Sequence, residues 1–212
     1  MQKNLVQIDP SSLFLYHYYE ASVGPFRTLS DLNQEEAENI LRRLRQEEKT
    51  FAAQRKADYL ATRRDLELHL RTLFLEKGGK PQRLAPHYMI IGECSWVRGW
   101  YKDGRAVKIA MDVFHPLSLS FTYGDSFPAM RFQDGKPYRG QVYTLSEIVE
   151  IIKQYGLPQD WNADGQQGPE RYIEAQIWDE ISLSTKDICS GSGLSTGNMS
   201  TTYEICISKN RT

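Results

Sequence analysis

The sequence predicts an α+β fold. Three observations lead there. Helical periodicity is concentrated in one long stretch early in the chain, at about 34–77; β-alternation dominates the second half; and one further helix interrupts those later strands. With 212 residues, 40% hydrophobic and 11% aromatic, the chain suits one sizeable domain with a real core. The expected boundaries are a single α+β domain over 1–188 and a peripheral or flexible tail over 189–212, where CSGSGLSTGNMSTTYE is too rich in Ser, Gly and Thr to offset its ordering entropy.

In chain order, SLFLYHYYE (12–20) reads as an aromatic strand, stopped by Gly24-Pro25. Asn33 and Glu36 form a capping box that opens the helical stretch. Ala37, Ile40, Leu41 and Leu44 make one apolar stripe; Tyr59, Thr62, Leu66, Leu70, Leu73 and Phe74 make a second. The charged EEK at 47–49 separates them, so two helices or one bent helix are expected, closed by Gly78-Gly79. The arginines of this segment, Arg42, Arg43, Arg45, Arg63 and Arg64, read as a solvated face. HYMIIGE (87–93), AVKIAM (106–111), LSLSFTY (117–123) and RYIEAQIW (171–178) read as strands. Between the last two, Thr144 and Glu147 cap a helix with Ile148, Ile151 and Ile152 facing inward; Gly156 and Pro158 end it, and 159–170 reads as a loop. TYEICIS near the C-terminus is a further candidate strand.

A formal net charge of -1 gives no global pull toward nucleic acid or an anionic membrane. No run is long and apolar enough to span a bilayer, and MQKNLVQIDPSS lacks the apolar core of a secretion signal. Cys94, Cys189 and Cys206 are far apart and odd in number, which fits neither a disulfide framework nor a zinc site and favours the cytoplasm. His69, His87 and His115 read as structural, so no metal is expected. There is no phosphate loop of the GxxxxGK[ST] type, no GxGxxG turn and no GxSxG elbow.

Two stretches hold the candidate chemistry. FTYGDSFPAM (121–130) runs a strand into a Gly-Asp turn with Asp125 and Ser126 as hydrogen-bonding groups. RYIEAQIW points Ile173, Ala175 and Ile177 one way and Tyr172, Glu174, Gln176 and Trp178 the other. A carboxylate and an amide between two large aromatics is either an outer face or the floor of a site. Glu174 and Gln176 would stand roughly 7 Å apart on that face, close enough to serve one cleft.

Taken in order, LYHYYE, SFTYGDSFPAM and RYIEAQIWDEISLSTKDI resemble the blocks of the ADP-ribosyltransferase superfamily, and within it the DarT-like toxins that modify nucleic-acid bases. The matches are His17, then Tyr123 and Ser126 with Met130, then Arg171 and Glu174. Phe127 stands between the Ser and Pro of the middle block, and Gln176 stands where many members of the wider superfamily place their glutamate. As a whole the chain also resembles a bacterial family of unknown function, which implies no role.

The resemblance implies a mixed or antiparallel split sheet, with the helices at 34–77 as an insertion. It implies NAD as a substrate without a metal. His17 would bond the adenosine ribose, the backbone of Tyr18 the nicotinamide amide, and Tyr123 would stack on the nicotinamide ring. Ser126 and Arg171 would complete the NAD site. Glu174 would be the catalytic carboxylate and Gln176 would orient the acceptor, a nucleic-acid base or a protein; an antitoxin would be a partner. Two other classes stay open: a non-catalytic α+β binding module, and an enzyme of the NAD glycohydrolase or RNA 2′-phosphotransferase kind.

Overall fold

The computed structural model describes residues 9–47, 51–181 and 204–207. Five strands form an antiparallel sheet: β1 (Phe14–Glu20), β2 (His87–Ile91), β3 (Gly104–Ala110), β4 (Leu119–Thr122) and β5 (Glu174–Ile177). Their order is β4-β5-β2-β1-β3, and β6 (Glu204–Ile207) adds to the edge, parallel to β3. With the helices below, the chain is α+β. Residues 189–203 and 208–212 of the expected tail lie outside the described residues; 204–207 form β6, as the TYEICIS pattern suggests.

The helical stretch forms two helices, α1 (Gln34–Glu47) and α2 (Tyr59–Glu76). Glu48 and Lys49, part of the charged break between them, lie outside the described residues. The start of α1 is local chemistry: Asn33 Oδ1 accepts from the Glu36 N–H at 2.9 Å, and Glu36 returns the bond to the Asn33 N–H. α2 stops at Gly78, whose φ of 82° is left-handed, and the Gly79 N–H closes on Phe74 O. Three short helices interrupt the later chain: α3 (Ser95–Arg98), α4 (Ser126–Arg131), which Asp125 caps at its start, and α6 (Pro158–Trp161), which takes up the beginning of the expected loop. Between the last two, α5 (Leu145–Tyr155) carries the reciprocal Thr144–Glu147 box. Among the described residues no helix is long and apolar enough to cross a membrane.

The two faces of the sheet bury different chemistry. On one, Leu15, Met89, Ile91, Val107, Ile109, Leu119, Phe121, Ile173, Ala175 and Ile177 pack against Ile148 and Ile152 of α5. Burying side chains of this size is worth about 1.5–3 kcal/mol each, and this is the main core. The other face is apolar only at its ends. Tyr16, Tyr18, Ile90, Ala106 and Tyr172 meet Cys94 and Val97 near α3. Trp178 meets Leu66, Leu70 and Phe74 of α2, with the Phe74 and Trp178 rings stacked 6.3 Å apart. Between those patches the sheet floor is polar, and α2 and α4 roof it without filling it.

Candidate active site

That unfilled space is a cleft of about 680 Å³. Its floor comes from β1, β2 and β5, one wall from α2 and the turn before it, and the rim from α3, α4 and the loop at 165–171. Of the residues singled out from the sequence, His17, Tyr18, Ser126, Arg171 and Glu174 line it. Tyr123 and Gln176 do not.

Glu174 lies at the floor, 7% exposed. Register places it opposite Thr122 of β4 and Ile90 of β2. Burial, followed by the neighbouring Asp125 charge, pushes its pKa up to about 8; hydrogen bonds from Ser126 and Gln176 and the Arg63 charge pull the other way. Asp125 is also raised by burial, although Tyr172 Oη donates to its Oδ2 at 2.7 Å and the Phe127 N–H to its Oδ1 at 2.8 Å. A carboxyl raised as far as that of Glu174 by burial and a neighbouring charge holds its proton at neutral pH, the environment of an acid–base or charge-stabilising group.

Gln176 is fully buried beneath this pair. Its Nε2 donates to Glu174 Oε1 at 3.0 Å, and its Oε1 accepts from Ser120 Oγ at 2.8 Å; Ser120 Oγ in turn accepts from Trp178 Nε1 at 2.8 Å. A relay thus runs from the core under α2 to the cleft floor and fixes the Glu174 rotamer from behind. The side-chain set Tyr172, Glu174, Gln176 and Trp178 is therefore an interior face throughout, half cleft floor and half helix-covered.

His17 is at the edge of the cleft with both ring nitrogens occupied. Nδ1–H donates to Tyr88 O at 2.8 Å, and Nε2 accepts from the Phe26 N–H at 2.9 Å. The ring lies 4.3 Å from that of Phe26, and burial lowers its pKa to about 4, so it stays neutral. No nitrogen is left for a ribose hydroxyl. Its observed work is to tie β1 to β2 past their last paired residues, Tyr16 and Ile90. Phe26 is held at φ 56°, a left-handed conformation that a bulky side chain rarely adopts and that tends to persist where surrounding structure over-determines it.

Tyr18 occupies the middle of β1 opposite Ala106, and its hydroxyl accepts from the Cys94 N–H at 2.9 Å. Arg171 stacks over Trp96 at 4.2 Å and donates to Ala163 O at 2.6 Å. It passes close to Gly165, whose φ of 76° favours glycine; a Cβ there would sit 2.5 Å from Arg171 Nη1 and push the guanidinium aside. Tyr123 is on the opposite face, fully buried, with its hydroxyl donating to Gly156 O at 2.9 Å and its ring among Tyr138 and Tyr155. It cannot stack on anything in the cleft. The alternation itself carried that signal: Leu119, Phe121 and Tyr123 share one face, and Ser120 and Thr122 the other.

Sequence reasoning did not find the α2 wall. Arg63, read as solvated, is 14% exposed in its side chain and pairs with Glu67 at 2.9 Å. Its Nη1 donates to Tyr59 Oη and its Nη2 to Thr28 Oγ1, and it lies over the Tyr88 ring at 4.8 Å. Arg55 and Tyr59 stand beside it. A helical period marks such residues as polar and says nothing about which tertiary neighbour they face. Among the described residues no cluster of His, Cys, Asp and Glu is arranged to hold a metal ion. No protein-family model, no curated protein and no solved structure matches this chain.

Proposed function

We propose that the cleft is the active site of an ADP-ribosyltransferase-like enzyme, which cleaves NAD at the nicotinamide–ribose bond with Glu174 as its catalytic carboxylate. The observation that carries this reading is a buried glutamate with a pKa near 8, fixed by Ser126 and Gln176 at the floor of a ligand-sized cleft with aromatic walls. As nicotinamide leaves, the ribose acquires oxocarbenium character, and an adjacent carboxylate lowers that barrier. The same carboxylate accepts the proton of the incoming hydroxyl or amine. Tyr172, two residues from Glu174 on the same face, and Tyr16, across Ile90 from it, take the ring-stacking role that the resemblance gives to Tyr123. Ser126 and Arg171, which line the cleft, complete the NAD site in this reading, and His17 acts by shaping its edge.

The acceptor is a nucleic-acid base or a protein side chain. Asp125 favours a second reading of the same site: a second carboxyl against Glu174 suits activation of water, which gives NAD hydrolysis without transfer. Adenine-labelled NAD separates the two. Label that becomes attached to added DNA, RNA or protein supports transfer; free ADP-ribose alone supports hydrolysis. In either case Glu174→Gln is expected to bind NAD and lose turnover by at least about a hundredfold, and unchanged turnover in that variant removes the assignment.

A further inference from the structure

Four arginines line the cleft, Arg27, Arg55, Arg63 and Arg171, against the two carboxyls Asp125 and Glu174. With Glu174 and Asp125 both raised by burial, and both cleft histidines, His17 and His87, pushed below their ordinary pKa, cations prevail. Most of them are already engaged. Arg63 donates to Ser30, Glu67, Tyr59 and Thr28. Arg171 is held by Ala163 O and the Trp96 ring, and Arg27 is exposed.

Arg55 is different. It follows the short 3-10 turn Phe51–Gln54. Its backbone carbonyl and that of Lys56 accept from the Arg45 guanidinium at 3.1 and 2.9 Å, which pins the main chain to α1. Its own guanidinium lies over the Tyr59 ring at 4.4 Å, and Tyr59 is stacked on Phe127 at 5.6 Å and 6°. Among the described residues, no acceptor completes its hydrogen bonds. Asp125 is a carboxylate whose charge acts on it, and both Asp125 oxygens accept from Phe127 and Tyr172. A planar five-donor group, held over an aromatic ring in the lining of an open cleft, is suited to take a bidentate oxyanion.

We propose that Arg55 is the anion-recognition residue of this cleft and that it binds the diphosphate of a nucleotide. Flat rings on the floor and rim suit a base, Glu174 suits a sugar hydroxyl, and Arg55 suits the phosphates; a phosphorylated nucleoside presents those three groups together. The proposal deepens the NAD reading and rests on it for the identity of the ligand, while the anion site itself is testable without NAD.

The test is calorimetric titration of the full chain with ADP, and separately with nicotinamide riboside, which lacks phosphate. Arg55→Ala is expected to weaken ADP binding about ten- to a hundredfold, the scale of a lost charge-assisted hydrogen-bond pair, and to leave nicotinamide riboside unaffected. Arg55→Lys is expected to recover part of the loss. If Arg55→Ala does not fold, Arg55→Gln, which keeps the planar end without its charge, is read in its place against the same expectation. Wild-type protein that fails to bind ADP, or an alanine variant that binds it as tightly as wild type, overturns the proposal. Arg55-dependent ADP binding without nicotinamide release upholds the anion site and sinks the NAD reading; nicotinamide release with KM unmoved by Arg55→Ala does the reverse.

Discussion

Glu174 and His17 are buried ionisable groups whose pKa values move in opposite senses, and the stability of the protein must follow. Glu174 titrates near 4.5 in the unfolded chain and near 8 when folded, so the folded state holds the extra proton between those values and stability falls as pH rises through that window. His17 titrates near 6.5 unfolded and near 4 folded, so the unfolded state holds the extra proton and stability falls as pH drops through that window. The two slopes cancel between pH 4.5 and 6.5. Above 6.5 the glutamate acts alone, at about 1.4 kcal/mol per pH unit at most. The expected melting-temperature profile is a plateau in mildly acidic buffer with a decline up to about pH 8. Glu174→Gln is expected to abolish that decline and to be the more stable protein at pH 8. A wild-type profile that is flat from pH 6.5 to 8 contradicts the buried, protonated state.

Among the elements, α5 and α2 separate stability from site. The Thr144–Glu147 box caps α5 on the main-core face, away from the cleft, and Lys77 at the end of α2 reaches Glu147 at 2.9 Å. Thr144→Ala is expected to cost about 1 kcal/mol of stability and to leave nicotinamide release unaltered when assayed well below the melting temperature. Phe74→Ala removes the ring that seats α2 on Trp178. It is expected to cost about 3–5 kcal/mol by denaturant unfolding and to depress NAD binding as well, because α2 carries the Tyr59 and Arg63 wall. Much at this scale was legible beforehand, since caps and alternation are local: Asn33 with Glu36, Thr144 with Glu147 and Gly78 stand where the sequence puts them, and each expected strand forms, although the run expected at 171–178 pairs only over Glu174–Ile177 and that at 117–123 only over Leu119–Thr122. The short helices α3, α4 and α6 were not, because four to six residues carry too little periodicity to declare a helix.

For the molecule as a whole, the sheet faces divide the labour: one is a closed apolar core, and the other a polar floor part-roofed by α2, with the Trp178–Ser120–Gln176–Glu174 relay joining roof to site. Which residues meet across that floor depended on long-range pairing. Glu174 and Ser126 were readable as candidates from their own segments, but Asp125 becomes Glu174's partner and Arg63 the cation that acts on both only once β4, β5 and α2 are assembled. The central claim is that Glu174, working from this floor, does the chemistry on NAD. The direct measurement is the pH dependence of kcat/KM for nicotinamide release by wild type and Glu174→Gln. The account predicts a wild-type rate that rises with pH to a plateau above about pH 8, as Glu174 ionises, and a variant at least about a hundredfold slower with no such rise. Equal rates in the two proteins, or a wild-type profile with no inflection near pH 8, would contradict it.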